Sequence, residues 1–490
     1  MKETGSQYAE GVGGRLSAVK SASYERAVGR VEGRANQFVA RYMLVSDLAY
    51  VLTASELGLT PKPVAKSLIQ TLINLIDKAE TFDYREAKAD IVVQREGWVI
   101  DQLGPVVGGW LHLGRSRGES IRAYIPRLFF RHTLHEERQA LLHFARALVA
   151  KAEPALDVLA PSYHHLQHAS ITTLGEYLLS WVTLLLNHVK RLEQVEERLD
   201  WAPASETSRP FLKDLSDRVC SRLGFTRRGK VRREGIWCED QFSEPFFFLV
   251  LISADLARLA EDLRIWMTSE FSFFELADQH AACSSNLPQK KNPFGLQTII
   301  GGAAMGVGRL AGQLTGNLSP SDESDALYHA GSLYQHAKDV VAWTHFIADV
   351  IEQGSFNAKE LRQKLSMGYV GTGEARDILV FDHGVSSRVA HRVLGILVRA
   401  QAENLPLPDI SALIKEETGQ EIQVNDAELD AIVRGETITP TVVDLPLIKE
   451  RCEELAREVE AAQQKMPAIS LPEAAAAKLI QEAQAWLNTD

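Results

Sequence analysis

The segment Cys283-Ser284-Ser285-Asn286-Leu287-Pro288-Gln289-Lys290-Lys291-Asn292-Pro293 is the densest concentration of reactive and charge-bearing residue types in the chain. An apolar helical pattern runs to about Asp278, small and polar residues follow, and then comes Asn292-Pro293. Asn is a good N-cap and Pro is favoured at the first helical position, so the spacing predicts that Asn292 opens a helix. A polar, lysine-bearing loop would then lie just before that N-terminus, where free N–H groups and the helix dipole attract anions. A serine placed there can be acidified if nearby donors stabilise its alkoxide. The same string would also serve as an ordinary helix–helix loop carrying Ser and Lys for solubility, and spacing alone leaves both readings open.

Two further strings carry chemistry. In Tyr163-His164-His165-Leu166-Gln167-His168, adjacent His164 and His165 would diverge on a helix, while His165 and His168 could share a face. No Cys or carboxylate joins them at ligand spacing, so no metal site is expected. An imidazole titrates near neutrality and is suited to proton transfer. In Leu111-His112-Leu113-Gly114-Arg115-Ser116-Arg117-Gly118-Glu119-Ser120, Ser116 and Arg117 fit carboxylate binding, because guanidinium matches a carboxylate bidentately. Taken alone, that string also reads as a basic surface turn.

Together the three strings resemble the fumarase/aspartase superfamily in its argininosuccinate lyase form. The first is similar to Gly-Ser-Ser-x-Met-Pro-x-Lys-x-Asn-Pro, with Cys283 in place of Gly and Leu287 in place of Met. The second is similar to Gly-Tyr-Thr-His-Leu-Gln, with His164 in place of Thr. The third is similar to Leu-His-Thr-Ala-Arg-Ser-Arg-Asn-Asp-Gln, with Gly118 in place of Asn. The resemblance extends over about residues 40–430, including Arg258–Leu263, Glu270–Leu276 and Gly368–His391. It implies that Ser284 is the general base, that Lys290 and Asn292 hold the substrate carboxylate as it becomes an aci-carboxylate, and that His165 takes part in acid–base chemistry. Ser116, Arg117, His164, Gln167 and Ser285 would line the substrate. It implies no metal and no organic cofactor. Cys283 reads as small and structural rather than nucleophilic.

The elements that must position these residues are helical. Long helical periodicities cover roughly 120–152, 170–199, 241–279, 293–316 and 325–353, and β-hairpin signals are scarce. The expected fold is all-α, a three-domain subunit divided at about 1–118, 119–365 and 366–490, with a long central bundle and a terminal helix over 474–486. Segments such as Phe246–Ile252 and Tyr177–Val182 are apolar on most sides. Helices apolar all round must be buried all round, which predicts burial against helices of other subunits, with a monomeric bundle of larger core as the alternative. The resemblance implies a homotetramer whose active sites draw on three subunits.

Composition sets outer limits. The 490 residues are 45% hydrophobic and 24% charged, as in a folded globular protein, and the formal net charge of -11 argues against a nucleic-acid partner. Cys220, Cys238, Cys283 and Cys452 form no CxxC pair or disulfide framework. No signal peptide is evident, and Phe246–Ile252 is too short to span a bilayer. A cytoplasmic protein with no membrane partner is expected. Its partner would be a small anionic, amino-acid-like substrate.

The resemblance thus implies a carbon–nitrogen lyase that eliminates an amine from an N-substituted aspartate or succinate and releases fumarate. Argininosuccinate lyase proper is the alternative, and a non-catalytic, crystallin-like structural descendant is another. The leaving-amine side is altered at His164 and Gly118. The stretch Leu318–Ala326 also shows no clear counterpart of the Tyr and Gln that contact the arginine moiety in the family.

Overall fold

In a computed structural model the chain is mostly helical. The structure describes residues 5–12, 14–82, 89–115, 118, 121, 124–202, 212–230, 240–318, 329–438 and 442–489. After short N-terminal turns come α1 (Asn36–Glu56), α2 (Lys62–Lys78) and α3 (Ile91–Gly108). The bundle begins with α4 (Ile125–Ala152). A hairpin of β1 (Leu159–His164) and β2 (Gln167–Thr173) leads into α5 (Leu174–Leu199), followed by α6 (Leu212–Arg222) and α7 (Asp240–Trp266). A second, very short hairpin, β3 (Ala282–Cys283) and β4 (Lys291–Asn292), precedes α8 (Phe294–Gly316) and α9 (Ala330–Gln353). The chain closes with α10 (Ala358–Lys364), α11 (Thr372–Phe381), α12 (Ser387–Ala402), α13 (Ile410–Thr418), α14 (Asp426–Val433), α15 (Leu445–Lys465) and α16 (Leu471–Leu487).

The five long periodicities correspond to α4, α5, α7, α8 and α9, but one boundary moves substantially. The pattern expected to stay helical to about Asp278 stops at Trp266. Beyond it Phe274 and Leu276 are buried while Glu275 between them is exposed, an alternation of period two. Phe274–Glu275 accordingly pairs antiparallel with Ser355–Phe356. Apolar density had hidden a change of period.

Helix starts follow side-chain chemistry. Thr173 accepts the N–H of Glu176 ahead of α5, and Asp90 accepts the N–H of Val93 ahead of α3. Each satisfies one of the donors a helix N-terminus leaves over. Asn292 does not cap α8. It is held in β4 opposite Ala282, and Pro293 takes the cap position.

The core is one large cluster built on α1, α2, α4, α5, α7 and α9, which α15 and α16 join through Cys452, Leu455, Val459, Ala476, Leu479 and Ala483. A separate cluster of residues from α11 to α14, including Leu379, Leu394, Ile410 and Val433, forms its own small core. Phe246, Leu249, Val250 and Ile252 are buried by their own chain, as are Leu178, Leu179, Trp181 and Val182. The chain thus covers most of these two segments by itself, while Phe247 remains 46% exposed. No helix among the described residues is long and apolar enough to cross a membrane.

Candidate active site

The Ser284 loop is the tip of the β3–β4 hairpin, with Ala282 opposite Asn292 and Cys283 opposite Lys291. The short ladder fixes where the loop leaves and returns. Inside it, Ser284 Oγ accepts the main-chain N–H groups of Leu287 at 3.1 Å and Asn286 at 3.3 Å. The N–H of Lys290 donates to Leu287 O at 3.0 Å and closes the turn. Ser284 and Asn292 are half-buried, while Ser285, Leu287 and Lys290 are exposed. Lys291 points to the hairpin foot, 2.7 Å from Asp278 and 3.7 Å from Glu275. Its ammonium holds the exposed Asp278 carboxyl below its ordinary range.

The histidine motif is not helical, which corrects the geometry expected for it. His164 ends β1, Gln167 begins β2, and the two are paired across a two-residue turn made by His165 and Leu166. Both turn residues have positive φ, 54° and 58°. Two-residue hairpins prefer such angles, but without Gly or Asn they are costly, and for Leu the conformation is an outlier. His164, His165, Leu166 and Gln167 are all exposed. The strained tip stands on a rigid base. Tyr163 packs against Phe271 and Phe273, and its hydroxyl lies 3.2 Å from His168 Nε2. Burial pushes the Tyr163 hydroxyl up to about 12. Burial, with Lys364 adding to it, pushes the His168 imidazole down. Gly368, at φ 71°, abuts it so closely that a Cβ there would meet the ring at 2.7 Å.

Of the arginine motif, Ser116 and Arg117 lie outside the described residues. Arg115, just before them, does not. Its guanidinium donates to Asp47 Oδ1 and to Leu111 O and lies 4.2 Å from the centre of the Tyr50 ring. Asp47 also accepts from Arg95 at 3.2 Å, and the side chains of all three are fully buried. A buried charge persists only when paired, so Asp47 anchors Arg115, the residue just before Ser116 and Arg117. Burial, reinforced by the two arginines, pushes neighbouring His112 down to about 4. Sequence reasoning missed this cluster. Its only signal was Arg115 inside the motif, and Asp47 and Arg95 sit in distant helical runs without a tell-tale spacing.

Among the described residues, no hydrogen bond or ion pair joins the Ser284 hairpin to the His165 hairpin within one chain. The two hairpin tips are built separately, each on its own short ladder.

The family model described as Lyase matches residues 31–308. The argininosuccinate lyase of Methanoculleus marisnigri is 30% identical over 400 residues, covering 79% of this chain and 79% of that one. The argininosuccinate lyase of Methanocorpusculum labreanum is 27% identical over 406 residues, covering 81% of each. Among solved structures, EDDS lyase in complex with formate matches with a TM-score of 0.77 at 22% identity, covering 96% of both chains. A variant of EDDS lyase with bound fumarate matches with a TM-score of 0.76.

Proposed function

The chain belongs to this lyase family of the fumarase/aspartase superfamily, and on that premise we propose that it catalyses anti β-elimination from an N-substituted aspartate or succinate, cleaving the C–N bond and releasing fumarate. The observation that carries the reading is the pair of main-chain N–H groups donated to Ser284 Oγ by Asn286 and Leu287. Donors aimed at an oxygen favour its charged form, so the loop favours a serinate able to accept a proton.

In the proposed reaction Ser284 removes the proton from the carbon beside one carboxylate. The electron pair spreads into that carboxylate, forming a dianion held by Lys290 and Asn292. It then returns to form the double bond as the C–N electrons leave with nitrogen, which takes up a proton. His165, His164 or a water supplies that proton. Ser116 and Arg117 grip a substrate carboxylate, and Gln167 and Ser285 complete the pocket.

The same reading makes the protein a cytoplasmic homotetramer with active sites shared between subunits. Its support is α8, which leaves Phe294, Met305, Val307 and Leu314 exposed at 57%, 61%, 56% and 52%. Phe294 with Met305 and Val307 with Leu314 lie on two opposite flanks of α8, and large apolar residues left open on both flanks of one helix suit an interaction surface. The family's composite site would bring the two hairpin tips together from different subunits.

The 30% identity to an argininosuccinate lyase favours arginine as the leaving group. His164 and Gly118 alter the amine side and favour another amine. Of the Leu318–Ala326 stretch, all but Leu318 lies outside the described residues. Retention of Ser284, His165, Lys290 and Asn292 speaks against a non-catalytic descendant. Steady-state kinetics with argininosuccinate and a panel of N-substituted aspartates, followed by fumarate absorbance, tests the reading. Fumarate release from one member is expected, with kcat/KM for argininosuccinate below about 10⁴ M⁻¹s⁻¹. Argininosuccinate turnover above that value restores the arginine-releasing reading, and no release from any substrate overturns the elimination.

A further inference from the structure

A second cluster of ligating side chains lies on the seam between α4 and α9. His143 comes from α4, and Asp349 and Glu352, one helical turn apart, come from the facing side of α9. One donor atom from each lies within 4.8 Å of the other two, and His143 Nε2 is 3.3 Å from Glu352 Oε1. Donors at about 2.0–2.2 Å from a common ion stand about 3–4.4 Å from one another, so side-chain adjustments of a few tenths of an ångström suffice to close these three donors on one ion.

Two independent features argue for a cation there. The first is His143 Nε2, which is closed off from solvent and has no hydrogen-bond partner among the described residues, although a carboxylate oxygen is so near. Its approach to Glu352 lacks hydrogen-bond geometry, which leaves a buried polar atom unsatisfied. The second is the position of the acids. Asp349 and Glu352 sit near the C-terminal end of α9, where the helix dipole is negative and carboxylates are disfavoured, and that last turn holds no basic residue. Lys151 answers part of this charge, but its ammonium is occupied by the carbonyls of Glu352 at 3.1 Å and Gly354 at 2.8 Å. Arg146 lines the same shallow depression as His143, Lys151 and Glu352. A second imidazole, His345, stands one turn before Asp349 on α9, with its ring 6.2 Å from that of His143.

We propose that His143, Asp349 and Glu352 form a binding site for a divalent transition-metal ion, of the zinc or cobalt type, that ties α9 to α4. An imidazole with two carboxylates selects such ions over magnesium or calcium, which take oxygen donors throughout. The site plays a structural part. It lies outside the proposed elimination machinery; Gln353, next to Glu352, has its side chain 3.1 Å from His280 Nε2 ahead of β3.

The test uses the full-length, untagged protein stripped with EDTA. Added Co²⁺ should bind with a stoichiometry of one per chain at this site and develop a visible absorption band, and Zn²⁺ should displace it and raise the thermal midpoint. His143→Ala and Glu352→Gln should each weaken binding by at least about tenfold and remove the thermal shift. Should His143→Ala fail to fold, Glu352→Gln carries the test, since that side chain is 43% exposed. Absence of Co²⁺ binding by the wild type, or equal binding by wild type and Glu352→Gln, overturns the proposal.

Discussion

α4 and α8 are both long helices of the central bundle, and they dispose of their side chains in opposite ways. α4 buries polar residues, and its own chain answers several of them. Arg131 reaches Gly224 O and Asp200 and lies 5.2 Å from the centre of the Phe225 ring, Arg138 pairs with Glu196, and Glu137 accepts a hydrogen bond from Thr344. α8 is more apolar, yet much of it faces outward. On the side toward α9, Gly295, Gly302 and Gly306 sit directly against Phe346, Trp343 and His336. On the open side, Gly301, Gly308 and Gly312 meet nothing within 4 Å. Each glycine within a helix costs about 0.5–1 kcal/mol relative to alanine, a cost repaid where another surface must approach closely. The contrast separates a helix whose partners lie within the chain from one whose proposed partners lie in other copies of it.

The largest effect should come from the hairpin that leads into α8. Ser284→Ala is expected to lower turnover by at least about 10²–10⁴-fold while substrate binding and the unfolding midpoint barely change. A variant keeping more than about a tenth of the wild-type rate would move the base elsewhere. Next is α8 itself. Met305→Glu together with Val307→Glu places charges on the proposed interface, and burying unpaired charge costs several kcal/mol. Sedimentation should show dissociated chains, with fumarate release lost in proportion. An intact, active oligomer would erase the distinction between the two helices.

Self-contained regions should respond in stability instead. Asp47→Asn strips the fully buried Arg95 and Arg115 of their shared counter-charge and should destabilise the fold by about 3–5 kcal/mol in urea titrations. An unchanged midpoint would mean that this cluster does not anchor Arg115. The smallest expected effect is a pH dependence in α4. Burial raises the Glu137 carboxyl from its ordinary 4.5 to about 8. Between those values the folded chain keeps a proton that the unfolded chain has released, so the stability linked to this group is complete below about pH 4.5 and is lost as pH rises toward 8. Glu137→Gln removes the titration, so its unfolding free energy should fall less steeply across that window than that of the wild type. Parallel curves would contradict the assignment.

Legibility in the sequence follows the same division. The five long helices were readable because apolar periodicity records burial, whichever chain supplies it. Periodicity does not record who buries a segment, which is why Phe246–Ile252 was assigned to other subunits and α8 was not singled out. Ser284, the proposed base, was legible as a serine in a polar loop beside a helix start, because Asn-Pro punctuates the chain there, but its role came only from the family resemblance. The hairpin at His165 and Leu166 was hidden: both turn residues adopt positive φ without the glycine or asparagine that ordinarily marks such a turn. The buried Asp47–Arg95–Arg115 cluster joins residues far apart in sequence and has no local pattern to read.

The claim on which the account rests is that Ser284 of one subunit works with His165 of another. Subunit mixing tests it most directly. Ser284→Ala and His165→Asn are each prepared as homomers with little or no fumarate release on the best substrate, then dissociated and reassembled together. The account predicts that mixed oligomers recover fumarate release, because some sites then receive an intact Ser284 and an intact His165 from different chains. A mixture that forms hybrid oligomers yet stays silent, or a wild-type monomer that is fully active, would contradict it.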